Sequence, residues 1–388
     1  MKSVWKLKGM LFFFHASMTI MISYLPVYFQ YLGLTGSEIG LLLAVGPAAA
    51  IIAQPFWGFM SDRWKTVKRI LILCLSSTLA IGFLVFRVDE FILLLPLFYL
   101  FFSFMSPAGG LSDSLAQKVS VQRNVSFGSI RMWGSLGFAS ASLVGGYILS
   151  AIGIVHIYYV FATFIIIALV FTFFAPDSEP SKKPVKLTSA FKLLKDKKLM
   201  IFFLLILSIS LSHRMNDSFI GLYIVEMGGD ESMIGVAWFI GVFTEAVVFA
   251  FSVYLFRKFH PLTYISIAAS IYVFRWLLMS IAPDPTYVLF IQILHGLSFA
   301  TFYLMAFQFV SKLVPRELES TGHLLFISVF FGISGVIGSI IGGTIINAFD
   351  VRSLYTVMFG LSLIGLISSL IYRYFYIARE KKEALGLN

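Results

Sequence analysis

Apolar runs of about 20 residues recur along this chain with only short polar punctuation between them, and each is long enough to cross a bilayer as one helix. In lipid every backbone N–H and C=O must be satisfied within its own segment, so such runs fold as helices. Twelve are counted, at about 8–31, 37–60, 69–87, 91–117, 126–150, 154–175, 199–224, 232–256, 262–282, 286–311, 321–347 and 353–376. Only 12% of the 388 residues are charged and 59% are hydrophobic, against about 25% charged in soluble domains. The mean hydropathy of +0.91 agrees. The expectation is an all-α membrane protein. A basic start, Met1 to Lys8, precedes the first run, but Leu11 to Phe29 is too long for a signal peptide and lacks a small-residue cleavage site. It reads as the first span.

The long polar segment Pro176 to Lys198 holds seven lysines and three prolines. It reads as a cytoplasmic linker, 176–198, joining six-helix halves at 1–175 and 199–388. Lysine and arginine set the orientation. Only Arg87 and Arg352 fall in one set of loops and three arginines lie in spans, while the rest of the 29 basic residues fall in the alternate set. Both termini are therefore expected in the cytoplasm. The net charge of +10 is dispersed over these loops and does not read as nucleic-acid binding.

The halves also resemble each other. Span 2 opens Ser37-Glu-Ile-Gly40, with Gly46 six residues on, and span 8 opens Ser232-Met-Ile-Gly235, with Gly241 six residues on, an offset of 195. Gly145-Gly146-Tyr-Ile148 in span 5 returns as Gly342-Gly343-Thr-Ile345 in span 11, an offset of 197. Small residues alone are common where membrane helices pack. Two matches at nearly one offset point to a duplication and to two pseudo-symmetric six-helix bundles.

Six charges lie deep in the spans: Asp113, Arg131, Arg214, Asp217, Glu245 and Arg275. At about 2.5–3.5 kcal/mol each, six unpaired charges would cost on the order of 15–20 kcal/mol. Three are acidic and three basic, so they can neutralise one another while facing protein. Intramembrane ionisable groups of this kind mark a solute or proton pathway. His213 and Asp217 are four apart on span 7, and Arg214 is within i,i+3 reach of Asp217. That group reads either as an outer gate or relay, or as a self-neutralised pair holding span 7 to its neighbours. His295 shares a face with Gln292 and reads as able to hydrogen-bond a solute or Glu245. His15 and His323 read as packing histidines. No pattern has metal-ligand spacing, no P-loop occurs, and Cys74 is the one cysteine, so neither cofactor nor metal is expected, and no enzyme.

After span 2 comes Gly58-Phe-Met-Ser-Asp62-Arg63-Trp-Lys65-Thr-Val-Lys68-Arg69, which resembles the signature loop of the major facilitator superfamily. Asp62 there would meet the positive end of span 11 and latch the cytoplasmic side, with Gly58 and Arg63 completing a gating motif. Gly128-Ser-Ile-Arg131-Met-Trp133-Gly-Ser135, Thr244-Glu245-Ala-Val-Val-Phe249, Phe274-Arg275-Trp276 and Ile291-Gln292-Ile-Leu-His295-Gly296, together with Asp113, resemble the 3-phenylpropionate permease group. That group is related to lactose permease and other sugar or nucleoside proton symporters. The resemblance covers most of the chain. It implies a multi-pass protein of the bacterial plasma membrane, working as a monomer, with a small solute, protons and the bilayer as its partners.

The same resemblance assigns solute recognition to Asp113, Arg131, Trp133, Gln292 and His295, and proton coupling to Glu245, Arg275, His295, Arg214 and Asp217. One departure stands out. Lactose permease carries a proton-binding glutamate one turn beyond the histidine, where this chain has Ser298. Proton binding then passes to Glu245, or coupling differs. Burial disfavours an ionised carboxylate and a nearby arginine favours it, so a motion changing the Glu245–Arg275 distance would change proton affinity. Proton-coupled uptake of an aromatic monocarboxylate, sugar or nucleoside is the leading expectation. Proton-driven efflux is the alternative, although span 5 lacks the proline expected of drug antiporters. A membrane sensor that binds without transporting is a third reading.

Overall fold

A computed structural model describes residues 2–177, 193–315 and 318–384. Twelve helices among them are long and apolar enough to cross a membrane. They are α1 (Val4–Tyr31), α2 (Gly36–Arg63), α3 (Val67–Val85), α4 (Phe91–Arg123), α5 (Phe127–Ile152), α6 (Ile154–Phe174), α7 (Lys197–Glu226), α8 (Glu231–Leu255), α9 (Pro261–Ser280), α10 (Pro285–Leu313), α11 (Thr321–Ala348) and α12 (Val351–Glu380). No strand occurs among the described residues.

Short loops force each helix to start at once, and the sequence supplies a cap for many of them. Thr35 accepts from the Glu38 N–H while Glu38 reaches back to the Thr35 N–H, a capping box at the head of α2. Thr66, Asp196, His260 and Asp284 accept backbone N–H bonds at the starts of α3, α7, α9 and α10. Proline follows as the first helical residue of α9 and α10, where its missing N–H leaves nothing unmade. Asp230 accepts from the Ser232 hydroxyl and the Met233 N–H at the head of α8, and these bonds hold its carboxyl below the usual carboxylate range. Ser353 does the same for Asp350 before α12.

Two boundaries differ from the expected ones. Helix α4 runs to Arg123, so Lys118 lies on helix and not in a loop; Asn124, at φ 48°, stops it in the left-handed region that asparagine tolerates. Helix α2 runs to Arg63, which puts Gly58, Asp62 and Arg63 on its last turns and leaves a connection of Trp64 to Thr66. Most of the expected linker, residues 178–192, lies outside the described residues. Its first part is tied down: Asp177 accepts from the Thr66 hydroxyl at 2.6 Å and from the Lys68 N–H at 3.0 Å.

The chain divides into two compact units. The first comprises Met1–Pro184, Asp217–Phe239 and Ser339–Phe349. Its core joins α1 to α5 and α6, and α4 to α2 and α3, around the rings of Phe29, Phe86, Phe98, Phe101 and Phe161. The duplicated glycines meet within this unit. A Cβ at Gly40 in α2 would lie 2.9 Å from Gly343 Cα in α11, and a Cβ at Gly146 in α5 would lie 2.6 Å from the Glu231 carbonyl oxygen in α8, beside Gly235. Each glycine strip of one half therefore crosses the other type of strip from the second half, at backbone-to-backbone distance.

The second unit comprises Val185–Asn216, Ile240–Gly338 and Asp350–Asn388. Helix α9 packs there on α10 and α12. Serine pairs tie its helices together in the apolar interior: Ser210 with Ser334 at 2.6 Å, Ser212 with Ser362 at 2.9 Å, and Ser369 with Ser266 at 3.1 Å. Helix α11 contains a π-helical stretch, Ser328–Ile333. Ser334 bonds the Val329 carbonyl five residues back, the spacing that a wider turn leaves open.

Candidate functional site

Four of the intramembrane charges fall at two places, Asp113 and Arg131 in the first unit and Glu245 and Arg275 in the second. In the first unit, Arg131 Nε lies 2.8 Å from Asp113 Oδ1, an ion pair that joins α5 to α4. Both side chains stay partly exposed, at 33% and 39%. His15, on α1, is buried and its Nδ1 bonds its own helix at the Leu11 carbonyl, 2.9 Å away, which is the packing role expected of it. Trp133 is two residues beyond Arg131 and so points elsewhere on α5. Its ring meets Trp5 edge-on at 5.4 Å and Phe12 at 6.4 Å.

The second cluster is enclosed. Arg275 on α9 has 0% exposure and donates from Nη2 to Gln292 Oε1 at 2.5 Å. Its guanidinium lies 4.4 Å from the Trp276 ring, and Trp276 in turn donates to the Ser212 hydroxyl at 3.1 Å. Gln292 interrupts α10 between Pro285–Ile291 and Ile293–Leu313. One turn further, His295 Nε2 stands 3.9 Å from Glu245 Oε2 on α8, within reach of an ion pair once the imidazole is protonated. Thr244 helps to fix that approach: its hydroxyl accepts the Gly296 N–H at 3.2 Å.

His213 on α7 belongs to this same cluster. Its ring stacks on Phe299 at 4.5 Å with an interplanar angle of 1°, and shares a 3.1 Å hydrogen bond with the Tyr272 hydroxyl. The His295 ring is 5.5 Å from it. Tyr272, His213, His295 and Glu245 thus form a file of protonatable groups drawn from α9, α7, α10 and α8. Tyr272 was not singled out from sequence; a tyrosine among 17 carries no signal until the fold sets it beside a histidine. Arg214 lies 5.7 Å from the Phe331 ring, and Asp217, three positions along α7, is buried. Asp62 and Arg63 are exposed at the end of α2. His323 is structural, bonding Ser311 at 2.8 Å and stacking on Phe307 at 3.6 Å. Among the described residues no group of His, Cys, Asp or Glu is arranged to hold a metal ion.

Among the described residues, twelve helices long and apolar enough to cross a membrane, with opposite charges set among them, are the build of a polytopic membrane protein. The chain matches the model of the MFS_1 like family over residues 4–357, and it belongs to that family. The transporter YwbF of Bacillus subtilis, uncharacterized by its own description, is 29% identical over 88% of this chain and 87% of its own length. The maltose permease of Geobacillus stearothermophilus is 27% identical, with 88% of each chain covered. A probable 3-phenylpropionic acid transporter of Escherichia coli is 25% identical over 79% of this chain and 82% of its own. A crystal structure of the nucleoside transporter NupG shares the fold, with a TM-score of 0.87 over 96% of this chain and 99% of that one at 18% identity. The protein is thus a multi-pass solute transporter of the plasma membrane, and not an enzyme.

Proposed function

We propose that the protein imports a small neutral polyhydroxyl solute, a sugar or nucleoside, in symport with protons. The observation that carries this reading is the Asp113–Arg131 pair, about a third exposed and electrically neutral. Such a pair offers acceptors and a rigid donor fork side by side, which suits adjacent hydroxyl groups. A monocarboxylate would have to displace Asp113 from the guanidinium, so an aromatic acid is the weaker fit. The similarity to a maltose permease agrees with a sugar.

Coupling rests on the enclosed cluster. Glu245 and His295, 3.9 Å apart, change from a carboxylate beside a neutral imidazole to an ion pair on uptake of one proton, and only a state-dependent change of this kind couples a proton to transport. Arg275 and Gln292 hold the register of α9 and α10 beside it. The two halves, 1–175 and 199–388, are taken to rock about the solute with both termini in the cytoplasm, and Gly58, Asp62 and Arg63 to gate that side. Arg214 and Asp217 are assigned to the outer relay.

The test is Glu245→Gln in proteoliposomes. Solute counterflow should persist within about twofold of the parent, while accumulation driven by a proton gradient is abolished. Unimpaired accumulation would falsify the coupling role. In a weakly buffered suspension of energy-depleted cells, sugar or nucleoside should alkalinise the medium. Acidification on adding drugs would instead indicate efflux.

A further inference from the structure

We propose that the groove between the start of α1 and the adjoining ends of α5 and α6 is a binding site for an anionic phospholipid. The groove has a volume of about 370 Å³ and is lined by Trp5, Lys6, Gly9, Phe12, Phe13, Trp133 and Phe171. Trp5, Phe12 and Phe13 come from α1, Trp133 from the first turns of α5, and Phe171 from the last turn of α6. All lie at one end of the spans, the depth at which a bilayer passes from acyl chain to headgroup.

The walls and the rim differ in chemistry. The walls are aromatic: Trp5 and Trp133 stand edge to face at 5.4 Å, and Phe13 stacks on Phe171 at 5.7 Å. Gly9 forms the floor, where a Cβ would lie 2.5 Å from the Phe171 ring, so the depth of the groove depends on glycine. The rim carries two ammonium groups. Lys8 Nζ sits 5.0 Å from the Trp5 ring and 5.7 Å from the Trp133 ring, and Lys6 Nζ sits 5.4 Å from the Phe174 ring. Among the described residues no acidic side chain lines the groove. An apolar slot at interfacial depth, topped by two cations with no lining carboxylate, matches an acyl chain below a phosphate. Trp5 is 59% exposed, which leaves the slot open on the side where lipid approaches.

Full-length protein in nanodiscs tests this with lipids brominated on the acyl chain. The quenching that disappears on Trp5→Phe reports this groove alone. Phosphatidylglycerol is expected to quench that signal at a mole fraction about thirtyfold lower than phosphatidylcholine, the scale set by two lysines near the headgroup plane. Lys6→Gln with Lys8→Gln should bring the two lipids together, and Lys6→Arg with Lys8→Arg should keep them apart, which separates lost charge from lost folding. Equal quenching by both lipids in the parent protein overturns the proposal, as does a preference that survives the double glutamine variant. Inorganic phosphate at millimolar concentration should leave the preference intact; its loss would assign the rim to a free anion and overturn the lipid assignment.

Discussion

Two arginines in this molecule sit in opposite circumstances. Arg131 pairs with Asp113 at about a third exposure, whereas Arg275 is fully enclosed and bonds the neutral Gln292. Water can re-solvate the first pair when it opens, so its bond can be exchanged for bonds to a solute at little net cost. Nothing comparable is available to Arg275, whose guanidinium was desolvated when the helices packed. The open pair suits recognition, where partners come and go. The closed one suits a fixed brace beside groups that titrate.

The largest expected effect tests that brace. Arg275→Ala removes a fully buried side chain from between Trp276 and Gln292, leaves a cavity and takes a hydrogen bond from Gln292, and should destabilise the protein by about 2–5 kcal/mol, read as thermal unfolding in detergent. Arg131→Ala should cost no more than about 1 kcal/mol in the same assay. Equal losses would dissolve the contrast. Next in size is a functional effect: Arg131→Lys keeps the charge but not the fork, and should weaken solute affinity by about tenfold with unfolding unchanged. Binding measured by isothermal calorimetry decides it, and unchanged affinity removes Arg131 from the solute site.

The smallest effect lies outside the membrane. Asp230 has its pKa lowered by the Ser232 hydroxyl first, with help from the Met233 N–H and Ser150. Because the folded-state value is the lower one, its contribution is complete above the ordinary carboxylate pKa of about 3.9 and is lost as pH falls through the folded value. Ser232→Ala should lower stability slightly at neutral pH and flatten the acid limb, the difference from the parent vanishing as pH falls through the folded value. A loss that persists undiminished at acid pH would refute this origin.

Much of the fold was legible because lipid allows so few alternatives: run length and loop charge suffice to count spans. Boundaries were missed where helix continues past the apolar run. Polar residues such as Gln117 and Lys118 form helix as readily as leucine does, so hydropathy stops before α4 does. Depth along a span located Asp113, Arg131, Glu245 and Arg275, but did not show which of them pair. Depth gives no azimuth. The resemblance set Trp133 beside Arg131, although residues two apart on a helix face different ways, and depth missed that Gln292 is a partner of Arg275. His213 was grouped with its sequence neighbours on α7, while the stacking on Phe299 that ties it to His295 depends on how α7 and α10 meet.

The glycine strips were visible as a repeat, but not as partners. In the structure the Gly40 strip meets the Gly343 strip, and the Gly235 strip meets that of Gly146. Patch a of one copy touches patch b of the other, and b touches a. That reciprocity is the signature of an isologous contact, the kind by which identical subunits close on themselves. A single ancestral repeat bearing both patches would already have been complementary to its twin.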